Sequence, residues 1–170
     1  IVLGHEESIQ EADTIFGELI AAGVTDPDIA ADMIHYAIDS TVLAQANDEP
    51  PNLSQLERAI ALGESMLAEN PAHPATLYYV GRAHELMGNL RSAGAALMQF
   101  IAINPTAPQA NLLLAKIFIV GGNPDFGGQF LARTYSASHS DEVRATLDEV
   151  RANVDDVAFV AETLERLLAG

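Results

Sequence analysis

Asp32, His35 and Asp39 fall at i, i+3 and i+7, so a helix that holds them presents two carboxylates and an imidazole on one face. Carboxylate and imidazole ligands at that spacing could hold a divalent metal. The solvent side of an amphipathic helix carries the same residue types, and that explanation needs no ligand. His84-Glu85 sets a base beside an acid, as general acid–base work requires. Gly121-Gly122 and Gly127-Gly128 lack the Lys-Ser/Thr ending and the preceding strand of a phosphate loop. There is neither a Gly-x-Ser-x-Gly elbow nor a His-Glu-x-x-His helix, and none of the 24 acidic residues is singled out as a catalytic pair. With no cysteine, thiolate metal sites and disulfides are excluded. The reading is a non-enzyme with no catalytic residue, no metal and no cofactor.

The elements that would position such residues are helices. Hydrophobic residues make up 49% of the 170, yet aromatics only 6%; alanine and leucine fill the difference, which favours close helix packing. Strand-like runs with period-two alternation and hairpin dipeptides are missing. The formal charge is −16, from 24 acidic and eight basic residues. Nucleic acid is repelled by such a surface and an anionic bilayer is disfavoured, whereas a basic protein partner is not. The longest apolar run, 112–120, is interrupted by Lys116 and too short to span a bilayer, so direct membrane insertion is not expected. Lys116 is the single lysine, a bias that points to a GC-rich bacterial source. No signal peptide is visible, and a chain that starts at Ile1 reads as a trimmed or mature fragment, which leaves periplasm and cytoplasm both open.

Self-similarity organises the middle of the chain. Asn70-Pro71 recurs as Asn104-Pro105, 34 residues on; Pro74 matches Pro108 and Gly88-Asn89 matches Gly122-Asn123. Val80 pairs with Leu114, Arg82 with Lys116, His84 with Phe118 and Leu97 with Leu131 at the same offset, and Leu56 and Ala59 match Leu90 and Ala93. Gly88 and Gly122 read as left-handed helix ends, and Asn89 and Asn123 as caps of the helices that follow. Pro74, Pro108 and Pro124 suit first-turn positions. Gly81, Ala93, Ala115 and Gly127 are small where helices must approach, while Val80, Leu97, Leu114 and Leu131 fill the space between them.

The period and the order Leu77, Val80-Gly81, His84, Ala93, Leu97, Pro105 resemble the tetratricopeptide repeat family, with each of its aromatic positions replaced. The next copy reads Asn111, Leu114-Ala115, Phe118, Gly127, Leu131, and lacks the closing proline. The resemblance covers roughly 53–137 and implies an all-α fold, a right-handed α-α superhelix of helical hairpins with extra N- and C-terminal helices. It also implies that the first helix of each hairpin lines a partner-binding groove. By repeat register the groove residues are Tyr78, Tyr79, Arg82 and Glu85, then Gln109, Leu112, Leu113, Lys116 and Ile119. Arg82 and Lys116 would supply two cations there for a partner's carboxylate or carbonyl. The chaperone-carboxylate clamp of the family has Lys and Asn where this chain has Tyr78-Tyr79 and Leu112-Leu113, so that ligand class does not fit. Two other arrangements account for the same residues: Arg82 pairing with Glu85 at i+3, and a terminal helix folding over Leu112, Leu113 and Ile119.

Around the array, residues 1–52 read as N-terminal helices, 53–137 as the repeats and 138–170 as C-terminal capping helices. Expected helices run from His5 to Ala22, from Pro27 to about Ala46, and through Glu69 behind a Ser54-x-x-Glu57 capping box; Ser140–Ala152 and Asp155–Leu168 close the chain. The function implied is a non-enzymatic adaptor or assembly chaperone that binds a protein segment. The competing reading is a structural or self-assembling module of a larger bacterial envelope or secretion protein, its groove filled by its own helices.

Overall fold

A computed structural model of the chain describes residues 14–15, 17–19, 21–23 and 26–169. Most of the helix expected from His5, and His5 itself, lie outside the described residues; those that are described between 14 and 21 are helical, and Gly23 closes the segment at φ +72°. Beyond it run eight helices: α1 (Pro27–Ala46), α2 (Leu53–Glu69), α3 (Pro74–Leu86), α4 (Leu90–Ile103), α5 (Pro108–Val120), α6 (Pro124–Ala137), α7 (Asp141–Ala152) and α8 (Val157–Ala169). No strand occurs among the described residues.

Local chemistry sets the helix ends. Pro27, Pro74, Pro108 and Pro124 each occupy the first turn of α1, α3, α5 and α6, where the absent N–H has no partner to lose. Gly88 and Gly122 sit just past α3 and α5 at φ +75° and +83°, the left-handed closure expected of them, where a Cβ would be strained. The caps are less regular than expected. Asn123 accepts from the Phe126 amide at 3.3 Å, but Asn89 makes no side-chain cap bond to α4. Ahead of α2 the cap is Asn52 rather than Ser54: its Oδ1 accepts the Gln55 amide at 3.2 Å and the Ser54 hydroxyl at 2.9 Å. Asn52 comes one helix step before the first apolar position, Leu53, so the box assigned to Ser54 begins inside the helix.

The chain divides into two compact units, residues 1–88 and residues 89–170. In the first, α1 packs on both α2 and α3, and α2 packs on α3. Ile34, Leu56 and Leu77 form its fully buried centre, each side chain worth roughly 1.5–3 kcal/mol on burial. Gly63 of α2 lies where the three helices meet: a Cβ there would run into Val80 of α3 and come within 2.6 Å of the Ile34 Cδ1 of α1.

In the second unit α5 is the hub, packing on α4, α6 and α8, while α7 joins α6 to α8. Leu113, Leu114, Ile119, Phe130, Leu131, Leu147 and Leu164 are fully buried. Phe118, Phe126 and Phe130 cluster with ring centroids 4.6–5.6 Å apart, mixing edge-on and stacked contacts. Gly127 permits the closest approach: a Cβ there would meet the Ala115 carbonyl at 2.9 Å and Ile119 Cγ1 at 2.6 Å. Small Gly127 opposite small Ala115 is the close packing that the repeat spacing predicts.

Candidate partner-binding faces

The nine groove residues sit on α3 and α5, and each helix has a neighbour along the face that carries them. In the first unit that neighbour is α1. The His35 ring of α1 stacks on Tyr79 of α3 with centroids 4.7 Å apart and planes 17° apart, and Tyr78 meets Tyr79 edge-on at 5.4 Å. Burial raises the Tyr79 phenol above its ordinary value, and the carboxylates of Asp32 and Asp39 raise it further by opposing a second negative charge. The Asp32–His35–Asp39 face is therefore arranged around an aromatic ring. His35 Nε2 lies 3.5 Å from Asp39, with both side chains largely exposed. Among the described residues no three His, Cys, Asp or Glu are gathered closely enough to hold a metal ion.

Arg82, one of the two expected groove cations, donates to Glu85 at 2.5 Å, and both side chains are more than nine-tenths buried. The i+3 pairing that the spacing allows is therefore present, and it is buried. His84 lies between helices: its ring is buried on α3 and Nε2 is 3.1 Å from the Glu64 carboxylate of α2, while Nδ1 has no hydrogen-bond partner among the described residues. His73 has a role that its residue type did not signal. Its Nδ1 lies 2.8 Å from the Thr76 hydroxyl and accepts weakly from the Thr76 amide at 3.4 Å, capping α3, while Nε2 reaches Asp28 of α1 at 3.3 Å.

In the second unit the neighbour is α8. Lys116 Nζ donates to Glu165 of α8 at 2.5 Å. Leu112, Leu113 and Ile119 are 5%, 0% and 1% exposed, so little of them is available to a partner without rearrangement, whereas Gln109 is exposed. From α8, Val160, Thr163 and Leu164 are buried with them. Asn111, at the repeat's first aromatic position, is buried and turned onto the backbone: its amide donates to the Ala107 carbonyl at 2.8 Å and the Pro105 carbonyl at 3.1 Å.

A separate cleft of about 470 Å³ opens in the second unit, lined by Pro105, Thr106, Ala132, Arg133, Ser136 and Ala137. The Arg133 guanidinium lies over the buried Phe130 ring, 5.2 Å from its centroid. On α7, Arg144 and Arg151 both approach Tyr135, at 5.4 and 5.6 Å.

Charge separates the units more sharply than fold. Residues 1–88 contain two basic and fifteen acidic side chains, a formal −13; residues 89–170 contain six and nine, a formal −3. With Arg82 buried, Arg58 is the one exposed Lys or Arg among the described residues of the first unit. Along the outer face of α1, Asp28, Asp32, His35 and Asp39 extend over roughly 16 Å at the helical rise, with the tyrosine pair of α3 against that face.

No helix among the described residues is long and apolar enough to cross a membrane. A human FK506-binding protein-like protein is 36% identical over 75 residues, which is 44% of this chain and 22% of that protein, so the match spans about a fifth of its length. No solved structure matches the chain. The family model for the second ARM domain of tetratricopeptide repeat protein 21 matches residues 25–122, from just ahead of α1 through all of α5 and well over half of the 170 residues. The chain is an all-helical repeat protein and belongs to the family of that ARM-type domain.

Proposed function

We propose that this chain is a non-enzymatic adaptor or assembly chaperone of the helical-repeat class, and that it receives a basic segment of a partner protein on the α1/α3 face of the first unit. Membership of a helical-repeat family supports protein interaction as the function class, because such folds act through extended surfaces. The 34-residue period supports tetratricopeptide-like use of α3, the first helix of its hairpin. The observation that carries the reading is the residue set left accessible. Tyr78 and Tyr79 are only half-buried, the carboxylates of Asp32 and Asp39 act on Tyr79, and Arg58 is the one exposed Lys or Arg among the described residues of the unit. Aromatic faces flanked by carboxylates suit lysine and arginine side chains, which pair with the acids and lie over the rings.

The test is binding of randomised peptides sorted into basic, neutral and acidic pools, read by fluorescence anisotropy. The expected result is retention of the basic pool and its loss in an Asp32→Asn, Asp39→Asn, Tyr78→Ser variant with unchanged helical circular dichroism. Equal binding of all pools, or equal binding by the variant, would sink the proposal.

A second reading has its own support. The face of α5 is occupied by α8 through Lys116–Glu165, as a structural module with a self-filled groove requires. A change of mass with concentration in sedimentation would favour that module, and a constant monomer mass would count against its self-assembling form.

A further inference from the structure

The repeat register explains why the cleft of the second unit exists. One repeat back from Ala132 and Ala137 of α6 stand Met98 and Ile103 of α4, each large and substantially exposed. At the same offset Arg133 replaces Gln99 and Ser136 replaces Ala102. Losing two bulky side chains on one helix end leaves a hollow against Pro105 and Thr106, and the same exchange places a guanidinium at its edge.

That guanidinium is positioned and uncompensated. It rests over the Phe130 ring, which is 2% exposed and so held in place, and it makes no ion pair with any described residue. The buried Arg82 and the part-buried Lys116 are matched by Glu85 and Glu165. Arg133 is left with a planar set of donors on an aromatic platform, the geometry that suits a carboxylate. The remaining lining is chemically mixed. Pro105, Ala132 and Ala137 are apolar, Ser136 spends its hydroxyl hydrogen on the Ala132 carbonyl at 2.9 Å, and the Thr106 hydroxyl makes no hydrogen bond with the described residues. The hollow is shallow and open to solvent, with all six lining residues exposed, and its volume of about 470 Å³ has room for two or three amino-acid side chains laid along the surface.

We propose that this cleft is a second docking site, separate from the α1/α3 face, which takes an acidic side chain of a partner peptide together with an adjacent aliphatic one. The carboxylate sits on Arg133 and Thr106, and the aliphatic group fills the space vacated at Ala132 and Ala137. Charge complementarity selects this occupant: an unpaired arginine on an apolar-walled hollow favours acid next to hydrocarbon and rejects a basic segment.

Amide NMR titration of the intact chain with the blocked dipeptide N-acetyl-leucyl-glutamate amide tests it. Saturable shifts are expected at Thr106, Ala132, Arg133 and Ala137, and the leucyl-glutamine counterpart should bind about tenfold more weakly. Arg133→Gln, at an exposed position, should reduce the glutamate affinity by a similar factor. The double variant Ala132→Met, Ala137→Ile restores the side chains of the preceding repeat and should abolish the shifts at Thr106. Absence of saturable shifts at these amides would overturn the proposal, as would equal affinity for the glutamine probe or undiminished binding by either variant. Sodium acetate producing the same saturable shifts would reduce the site to an adventitious anion and overturn it as well.

Discussion

α3 and α5 hold equivalent places in the repeat, 34 residues apart, yet the two units finish them in opposite ways. The face of α3 is completed by α1, a helix that precedes it; the face of α5 is completed by α8, a helix that follows it. The cations at matching positions show what this changes. Arg82 finds its carboxylate on its own helix, at Glu85, so the pair persists whatever α1 does. Lys116 finds Glu165 on α8, 49 residues away, so the pair also ties α8 down. One repeat position thus serves internal neutralisation in one unit and helix attachment in the other. The α1/α3 face leaves rings and carboxylates accessible, while the α5 face is spent on packing.

The largest effect expected is on the buried pair. Glu85→Ala removes the carboxylate that Arg82 holds in the interior and should cost about 3–5 kcal/mol in urea denaturation, whereas exchanging both for Met and Leu should recover most of it. Next come the two close-approach glycines. Gly127→Ala drives a methyl against the Ala115 carbonyl and should cost about 1–3 kcal/mol. Gly63→Ala meets only side-chain ends at Val80 and Ile34 and should cost less; the reverse order would show that the first unit is the more rigidly packed.

Glu165→Gln tests attachment of α8. It should lower stability by only about 1 kcal/mol, the pair being part-exposed, but accelerate amide exchange at Val160 and Leu164 while leaving α3 unchanged. The smallest effect concerns Tyr79. Because the folded phenol is raised above the unfolded value of about 10, stability is intact below that pH and declines as pH climbs through the folded value. Asp32→Asn with Asp39→Asn should move the tyrosinate absorbance transition to lower pH, leaving in place the largest single cause of the shift, which is burial.

What could be seen in the sequence follows from the reach of the 34-residue period. Where it operates, residue type and backbone agree: Gly88 and Gly122 take positive φ, and Val80, Leu97, Leu114 and Leu131 are at most 2% exposed. Contacts made outside the period carry no such signal. Glu165 is one of 24 acidic residues, and nothing in its surroundings marks it as the partner of Lys116. His73 caps α3 although histidine is not among the favoured capping residues, while its counterpart Ala107 caps α5 with no side chain at all. The stacking of His35 on Tyr79 depends on how α1 lies along α3, which residue spacing on either helix leaves open. The cleft beside Arg133 arises from volume that is missing, visible only when Ala132 and Ala137 are set against Met98 and Ile103.

The near-absence of exposed lysine and arginine from the first unit has a further consequence, in how the protein senses its solvent. Like charges that crowd one fold repel across several ångströms, and mobile ions shorten that range from about 30 Å at 0.01 M to about 8 Å at 0.15 M. Added salt should therefore tighten residues 1–88 while barely altering residues 89–170, whose charges are near balance. The same ions would weaken the capture of a basic segment proposed for the α1/α3 face, so on that reading ionic strength moves folding and binding of this unit in opposite directions.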